Sequence, residues 1–190
     1  ALHNRNNMRP IANLLFETRI LKDIVRSGYA FLGSGRESVA EHSFMTAFIC
    51  FAMARIEDGI DTEKLITMAL VHDLAEARTG DFNYVEKKYS QTDEKKALSD
   101  QLKQISFGSE IKQLVEEFNA GKTREAKLAR DADQLSFVLE LKKQLDIGAR
   151  GPEKWLPVVV DRIATDTGKQ MAESIMHTGW DEWWLNDYSE

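Results

Sequence analysis

The chain has a single cysteine, three prolines and four histidines in 190 residues. One cysteine excludes an internal disulfide and fits a reducing compartment, so a cytoplasmic protein is expected. Few prolines and 11 glycines exclude collagen-like and low-complexity classes. No uninterrupted apolar run reaches the ~18 residues that a bilayer span needs, and the opening residues lack the apolar stretch of a secretory leader. Neither a membrane association nor a leader is expected. Alternation of apolar and polar residues over five positions or more is also missing, which removes the strand signal. Cations are in deficit, 25 Lys and Arg against 31 Asp and Glu, giving a net charge of −6. That balance argues against a nucleic-acid-coating surface and, at first sight, against any phosphorylated ligand.

With 43% apolar and 29% charged residues, the composition is that of one globular domain. Size scaling gives it a folded surface of roughly 9,000 Å², with about 70% of the unfolded surface buried. The helical period recurs in almost every long segment, so an all-α bundle is predicted. A first helix begins near Pro10, buries Ile11, Leu14, Leu15, Leu21 and Ile24 or Val25, and ends by Gly28. Ser38 and Glu41 have the spacing of a capping box, which opens a second helix through Ile56. Phe44, Met45, Phe48, Ile49, Phe51 and Met53 make it apolar on most sides, so it is expected at the centre. A third helix, capped by Asp61 or Thr62, reaches about Ala77, and Thr79-Gly80 stops it. The charged stretch 86–103 reads as a solvated loop and a surface helix from Thr92 or Asp93. Further helices are expected over 110–118, from about Thr123 to Ile147, and from Val158 to Met176 after Pro157. Trp180, Trp183 and Trp184 are too much apolar area for a free tail, so segment 152–190 is expected to pack on the bundle or on a partner subunit. The whole chain, 1–190, reads as one domain.

Two histidines sit rigidly within apolar helices, His42 and His72. Glu76 lies four residues beyond His72 and three beyond Asp73, so these side chains converge at one helix end. A buried carboxylate beside a buried imidazole needs compensation, which a divalent cation supplies. Asp133 falls among Leu128, Ala129, Ala132, Phe137 and Leu141 at helical spacing and is expected to face inward. Asp131, about 160° away around the helix, is expected to be exposed. Two imidazoles and two carboxylates suit Mn, Co, Fe, Mg or Zn without choosing among them. The bland readings elsewhere are a plain turn at Gly33-Ser34-Gly35-Arg36, a terminal His3, a helix-end dipole partner in His177 and a small buried side chain in Cys50.

The order His42, then His72-Asp73, then Asp133 resembles the H…HD…D signature of the HD-domain metal-dependent phosphohydrolases, whose fold is an α-helical bundle. The blocks 36–43, 71–81 and 127–133 are similar to the 5′-deoxynucleotidase branch, the YfbR-like and HD-domain-containing-protein-2-like proteins. The likeness covers roughly residues 10 to 145, with the motifs between 26 and 145. It implies that His42, His72, Asp73 and Asp133 are metal ligands and that Glu76 works on the attacking water. It also implies that Thr79 and Asp81 line the sugar and phosphate side, and that Arg26 and Tyr29 hold the nucleotide. Tyr29 stands where Trp is usual.

The implied function is hydrolysis of deoxyribonucleoside 5′-monophosphates by a metal-activated water, in a homodimer or higher homo-oligomer. The same site leaves open a phosphodiesterase or a (p)ppGpp or triphosphate hydrolase. A triphosphate needs more cations at the pocket mouth, where Arg26, Arg36 and Arg78 are the candidates. An all-α ligand-sensing transcriptional regulator is the alternative outside enzymes, but residues 1–60 show no basic recognition helix. The acidic balance then changes meaning, because a pocket holding Asp73, Glu76, Asp81 and Asp133 accepts phosphate only after a divalent ion reverses its sign.

Overall fold

The computed structural model describes residues 8–188; His3 lies outside them. No strand occurs among the described residues, only an antiparallel bridge between Val25 and Ser38. The helices are α1 (Arg9–Arg19), α2 (Val39–Ile56), α3 (Thr62–Val71), α4 (Glu76–Thr79), α5 (Glu86–Tyr89), α6 (Glu94–Gln101), α7 (Gly108–Ala120), α8 (Arg124–Asp146), α9 (Pro152–Val160), α10 (Asp166–His177) and α11 (Glu182–Leu185).

Local signals set the starts. At α2 the capping box forms in full: the Ser38 hydroxyl accepts from the Glu41 N–H at 3.2 Å, and the Glu41 carboxylate accepts from the Ser38 N–H at 2.6 Å. Asp61, Asp93, Thr123 and Thr165 cap α3, α6, α8 and α10 in the same one-sided way. Helix α7 ends at Gly121, whose φ of +60° an L side chain rarely adopts.

The helices enclose two apolar cores. The larger lies among α2, α3, α8, α9 and α10 and includes Met53, Leu65, Met68, Leu135, Leu141 and Val159. The smaller gathers Leu14, Leu21, Val39, Leu74, Leu98, Leu102 and Ile111. Each fully buried side chain of this kind, such as Leu65 or Met68, contributes about 1.5–3 kcal/mol. Helix α2 runs through both cores, with Val39 in one and Met53 in the other, and Val71 packs against each.

Several sequence expectations are corrected. Helix α1 stops at Arg19 and continues as two 3₁₀ turns, Ile20–Lys22 and Ser27–Phe31, so Gly28 lies inside a turn. Leu15 is exposed. Helix α2 is central but not covered all round, since Phe44 and Phe48 are 65% and 58% exposed and Phe51 also faces outward. By length and mean hydropathy it resembles a membrane span, although Glu41, His42, Ser43, Thr46 and Arg55 interrupt it; its other face carries His42 into the bundle. Helix α3 ends at Val71, and α4 is a separate short turn.

The segment after Pro157 is not one helix. Pro152 starts α9 and Pro157 sits inside it, while α10 begins anew at the Thr165 cap. Asp131 is buried, not exposed: its carboxylate accepts from the N–H groups of Ala164 and Thr165 at 2.9 and 2.7 Å and fastens the start of α10. Of the terminal aromatics, Trp183 is exposed, and the Trp180 N–H donates to Asp146 at 3.1 Å.

Candidate active site

Three helices deliver the four expected ligands. His42 comes from the second turn of α2, His72 and Asp73 from the turn that follows α3, and Asp133 from the middle of α8. The free imidazole nitrogens face the carboxylates. His42 Nε2 is 2.9 Å from an Asp133 oxygen and 3.9 Å from Asp73, and His72 Nε2 is 3.1 Å from Asp73. Both Nε2 atoms are buried, and neither has a hydrogen-bond partner in good geometry. One ligand atom each from His42, His72 and Asp133 falls within 4.8 Å of the others.

The outer nitrogens fix the rings. His72 Nδ1 donates to the Ala69 carbonyl at 2.7 Å, which leaves Nε2 to carry a lone pair into the site. His42 Nδ1 meets the Ser136 hydroxyl at 3.2 Å. Orphaned buried nitrogens converging with carboxylates, each backed by an outer hydrogen bond, fit a mixed N/O divalent site.

In the metal-free protein the charges compensate one another. Burial opposes the charge on His72, but Asp73 outweighs it and holds the imidazole at about 9. Burial, with Arg26 beside it, pushes His42 down. Burial would raise both Asp133 and Asp73, yet the histidines prevail and hold both carboxyls below the usual range. Glu76 goes the other way. Burial, with Asp73 and Asp81 nearby, raises it to about 9, and its Oε2 has no partner. A carboxyl that keeps its proton beside the ligands is equipped for proton transfer.

Arg26 reaches this group from the loop before α2. Its N–H donates to the Glu37 carbonyl at 2.9 Å, next to the Val25–Ser38 bridge. Burial opposes the guanidinium charge, but Asp133, Asp73, Glu37 and Asp81 outweigh it and raise its pKa. Asp81 joins the two loops of the site, accepting from the Ser27 N–H and hydroxyl at 2.6 and 3.1 Å. Gly80 permits that turn with a φ of +78°. Thr79 spends its hydroxyl locally, on the carbonyls of Ala75 and Gly80.

Tyr29 differs from the expectation of a free stacking surface. It is 6% exposed, edge-on to Phe137, and its hydroxyl donates to Glu37 at 3.3 Å. Of the expected cations at the mouth, Arg78 is paired with Glu17. Arg36 borders a separate cavity of about 760 Å³ with Lys22, Glu41 and Lys143. Besides Arg26, the cations near the ligands are Arg130 and Arg162, which line a cavity of about 490 Å³ reaching Asp133 and Phe118. Arg130 stands one helical turn before Asp133 in the block 127–133, but nothing in the pattern marked Arg162, which comes from a connection between helices far along the chain. The plain readings elsewhere hold: Ser34 turns back to donate to Gln144, His177 donates to the Glu173 carbonyl, and Cys50 is buried with its thiol pushed up to about 12 by desolvation.

The HD-domain family profile matches residues 18–175. The chain belongs to the HD-domain family. Among curated relatives, this HD domain is 35% identical over 132 residues to a Dictyostelium discoideum protein named 5′-deoxynucleotidase HDDC2, covering 63% of this chain and 70% of that one. The human protein of the same name is 29% identical over 133 residues, covering 67% and 64%. The matched stretch is thus about two thirds of each relative. Among solved structures, a Pyrococcus horikoshii protein superposes with a TM-score of 0.71 at 28% identity, over 87% of this chain and 98% of that one. A conserved hypothetical protein from Pyrococcus furiosus gives 0.71 at 27%, over 88% and 99%. The all-helical architecture is therefore shared with these solved structures.

Proposed function

We propose that the chain is a divalent-metal-dependent phosphohydrolase that cleaves deoxyribonucleoside 5′-monophosphates to a deoxynucleoside and phosphate. The observation that carries this reading is the convergence of the orphaned His42 and His72 nitrogens with Asp73 and Asp133, beside the Glu76 carboxyl and the Arg26 guanidinium. The relatives named 5′-deoxynucleotidase support the substrate class.

His42, His72, Asp73 and Asp133 would hold the ion, and a bound ion supplies Lewis acidity toward the phosphoryl oxygens and acidifies coordinated water. Arg26 binds the phosphate oxygens through its planar fork. Glu76 orients the attacking water and carries a proton to the departing 5′-oxygen. Asp81 and Thr79 border the sugar, and Asp81 also keeps Ser27, and with it Arg26, in place. A homodimer is supported by the row of exposed rings on α2, and the single cysteine supports a cytoplasmic setting.

A second reading has one observation behind it: Arg130 and Arg162 give the cavity at Asp133 the cations that a longer phosphate chain needs. One substrate panel tests both. Purified protein with Mn²⁺ or Co²⁺ is expected to release phosphate from dAMP and dCMP much faster than from AMP or dATP, and Asp73→Ala to abolish it. Equal turnover by the variant, or no turnover of any monophosphate with any metal, overturns the proposal. Faster turnover of dATP selects the second reading.

A further inference from the structure

Each of the three segments that leave the ligand cluster carries an aromatic ring to one place. Phe31 follows Arg26 through the 3₁₀ turn Ser27–Phe31. Tyr84 comes three residues after Asp81. Phe137 is one helical turn, ~6 Å, along α8 from Asp133. Trp155 of α9 completes the group, with ring centroids 6.3 Å from Phe31, 6.2 Å from Tyr84 and 6.1 Å from Phe137. Phe31 and Tyr84 lie 5.4 Å apart and are 42% and 57% exposed. The buried Tyr29 forms the floor behind Phe137.

We propose that Phe31, Tyr84 and Trp155 form the platform on which the base of the nucleotide stacks, an inference that rests on the monophosphate reading above. Two observations favour a ligand over mere surface packing. Phe31 and Tyr84 stay exposed although they belong to loops anchored by Arg26 and Asp81, and the half-buried Trp155 of α9 joins them through Phe137 to the turn of α8 that carries Asp133. Tyr29 cannot serve, because its faces are covered. The Lys88 ammonium lies over the Tyr84 ring, 5.9 Å from its centroid. Recognition is then by π surface and not by hydrogen bonding to base edges, so purines bind better than pyrimidines with little choice within each class.

The test compares dAMP with deoxyribose 5-phosphate, which lacks the base, on the metal-loaded protein. Tyr84→Ala and Trp155→Ala are expected to lower the ratio of kcat/KM for dAMP over deoxyribose 5-phosphate about tenfold, mainly through KM. Tyr84→Phe, which keeps the ring, restores it. Tyr84 is exposed in a loop, so its variant folds even if loss of Trp155 disturbs α9. Deoxyadenosine is expected to inhibit competitively and to lose that effect in Tyr84→Ala. An unchanged ratio in Tyr84→Ala overturns the platform. If the wild-type protein cleaves neither phosphoester, the monophosphate reading fails by itself. Direct titration with deoxyadenosine then decides the platform: binding that Tyr84→Ala removes sustains it, and no binding overturns it.

Discussion

The Asp131 carboxylate and Thr165 are joined twice, the Thr165 N–H donating at 2.7 Å and its hydroxyl at 2.5 Å, so a residue of α8 governs where α10 begins. Gly168 shares the arrangement, because an added Cβ there would stand 2.5 Å from an Asp131 oxygen.

Removing this carboxylate leaves the N–H groups of Ala164 and Thr165 without their acceptor. Asp131→Ala is expected to destabilise the fold by about 2–4 kcal/mol, and Asp131→Asn by less. Urea unfolding measures both, and metal content of the folded fraction should be unaltered. A loss below ~1 kcal/mol for Asp131→Ala would mean that water replaces the clamp.

Metal uptake should release protons. His72 in the metal-free protein holds its proton up to about pH 9, whereas a ligating Nε2 must be bare. At pH 7.5, binding of Mn²⁺ is expected to release at least one proton, and affinity to fall about tenfold per pH unit as the solution is acidified. Titration calorimetry in buffers of different ionisation enthalpy reads the count directly. Zero protons released contradicts the assignment of His72 as a ligand.

Glu37 gives the opposite pH signature from an ordinary surface carboxylate. Burial raises it to about 7 from 4.5, against the pull of Arg26. Between those values the folded protein holds a proton that the unfolded chain has lost. Its contribution to stability is therefore complete below about pH 4.5 and disappears as pH rises through 7. Glu37→Gln keeps a partner for Tyr29 and escapes this loss. Its stability relative to wild type should rise between pH 5 and 8 by on the order of 3 kcal/mol, followed by thermal melts across that range.

Phe44, Phe48 and Phe51 lie along one stripe of α2 at spacings of four and three. Phe48→Glu is expected to convert a dimer to a monomer in sedimentation, without change in helix content, since the side chain it replaces is exposed. A monomeric wild-type protein would remove this face from consideration as the interface.

The convergence of the candidate ligands was legible because each member announces itself locally. His42 follows a capping box, His72-Asp73 ends an apolar helix, and Asp133 shares a face with leucines. Asp131 was misread for a reason that applies to any enclosed helix. Helix α8 is packed by α2, α3, α7, α9 and α10, so its solvent side is only a narrow strip through Lys127 and Arg130, and pointing away from Asp133 does not place a residue on it. The reverse error befell α2, where an apolar circumference suggested full enclosure although three rings point outward. Tyr29 and Arg162 depend on contacts between segments remote in sequence. Spacing along a single helix carries no trace of those.

The ligands also lie where the two apolar cores meet. His42 is on the helix shared by both, His72 and Asp73 follow Val71, which touches each, and Asp133 follows Ala132 of the larger core. An ion held by all four would thus tie the two cores together. Stripped of metal, the smaller unit with α1, α4 and α6 becomes the part that opens first. Amide exchange of its helices should quicken under chelation, while α3 and α8 keep their protection. Loss of the cofactor then exposes the chain to proteolysis at one end of the bundle, and metal supply sets its lifetime as well as its turnover.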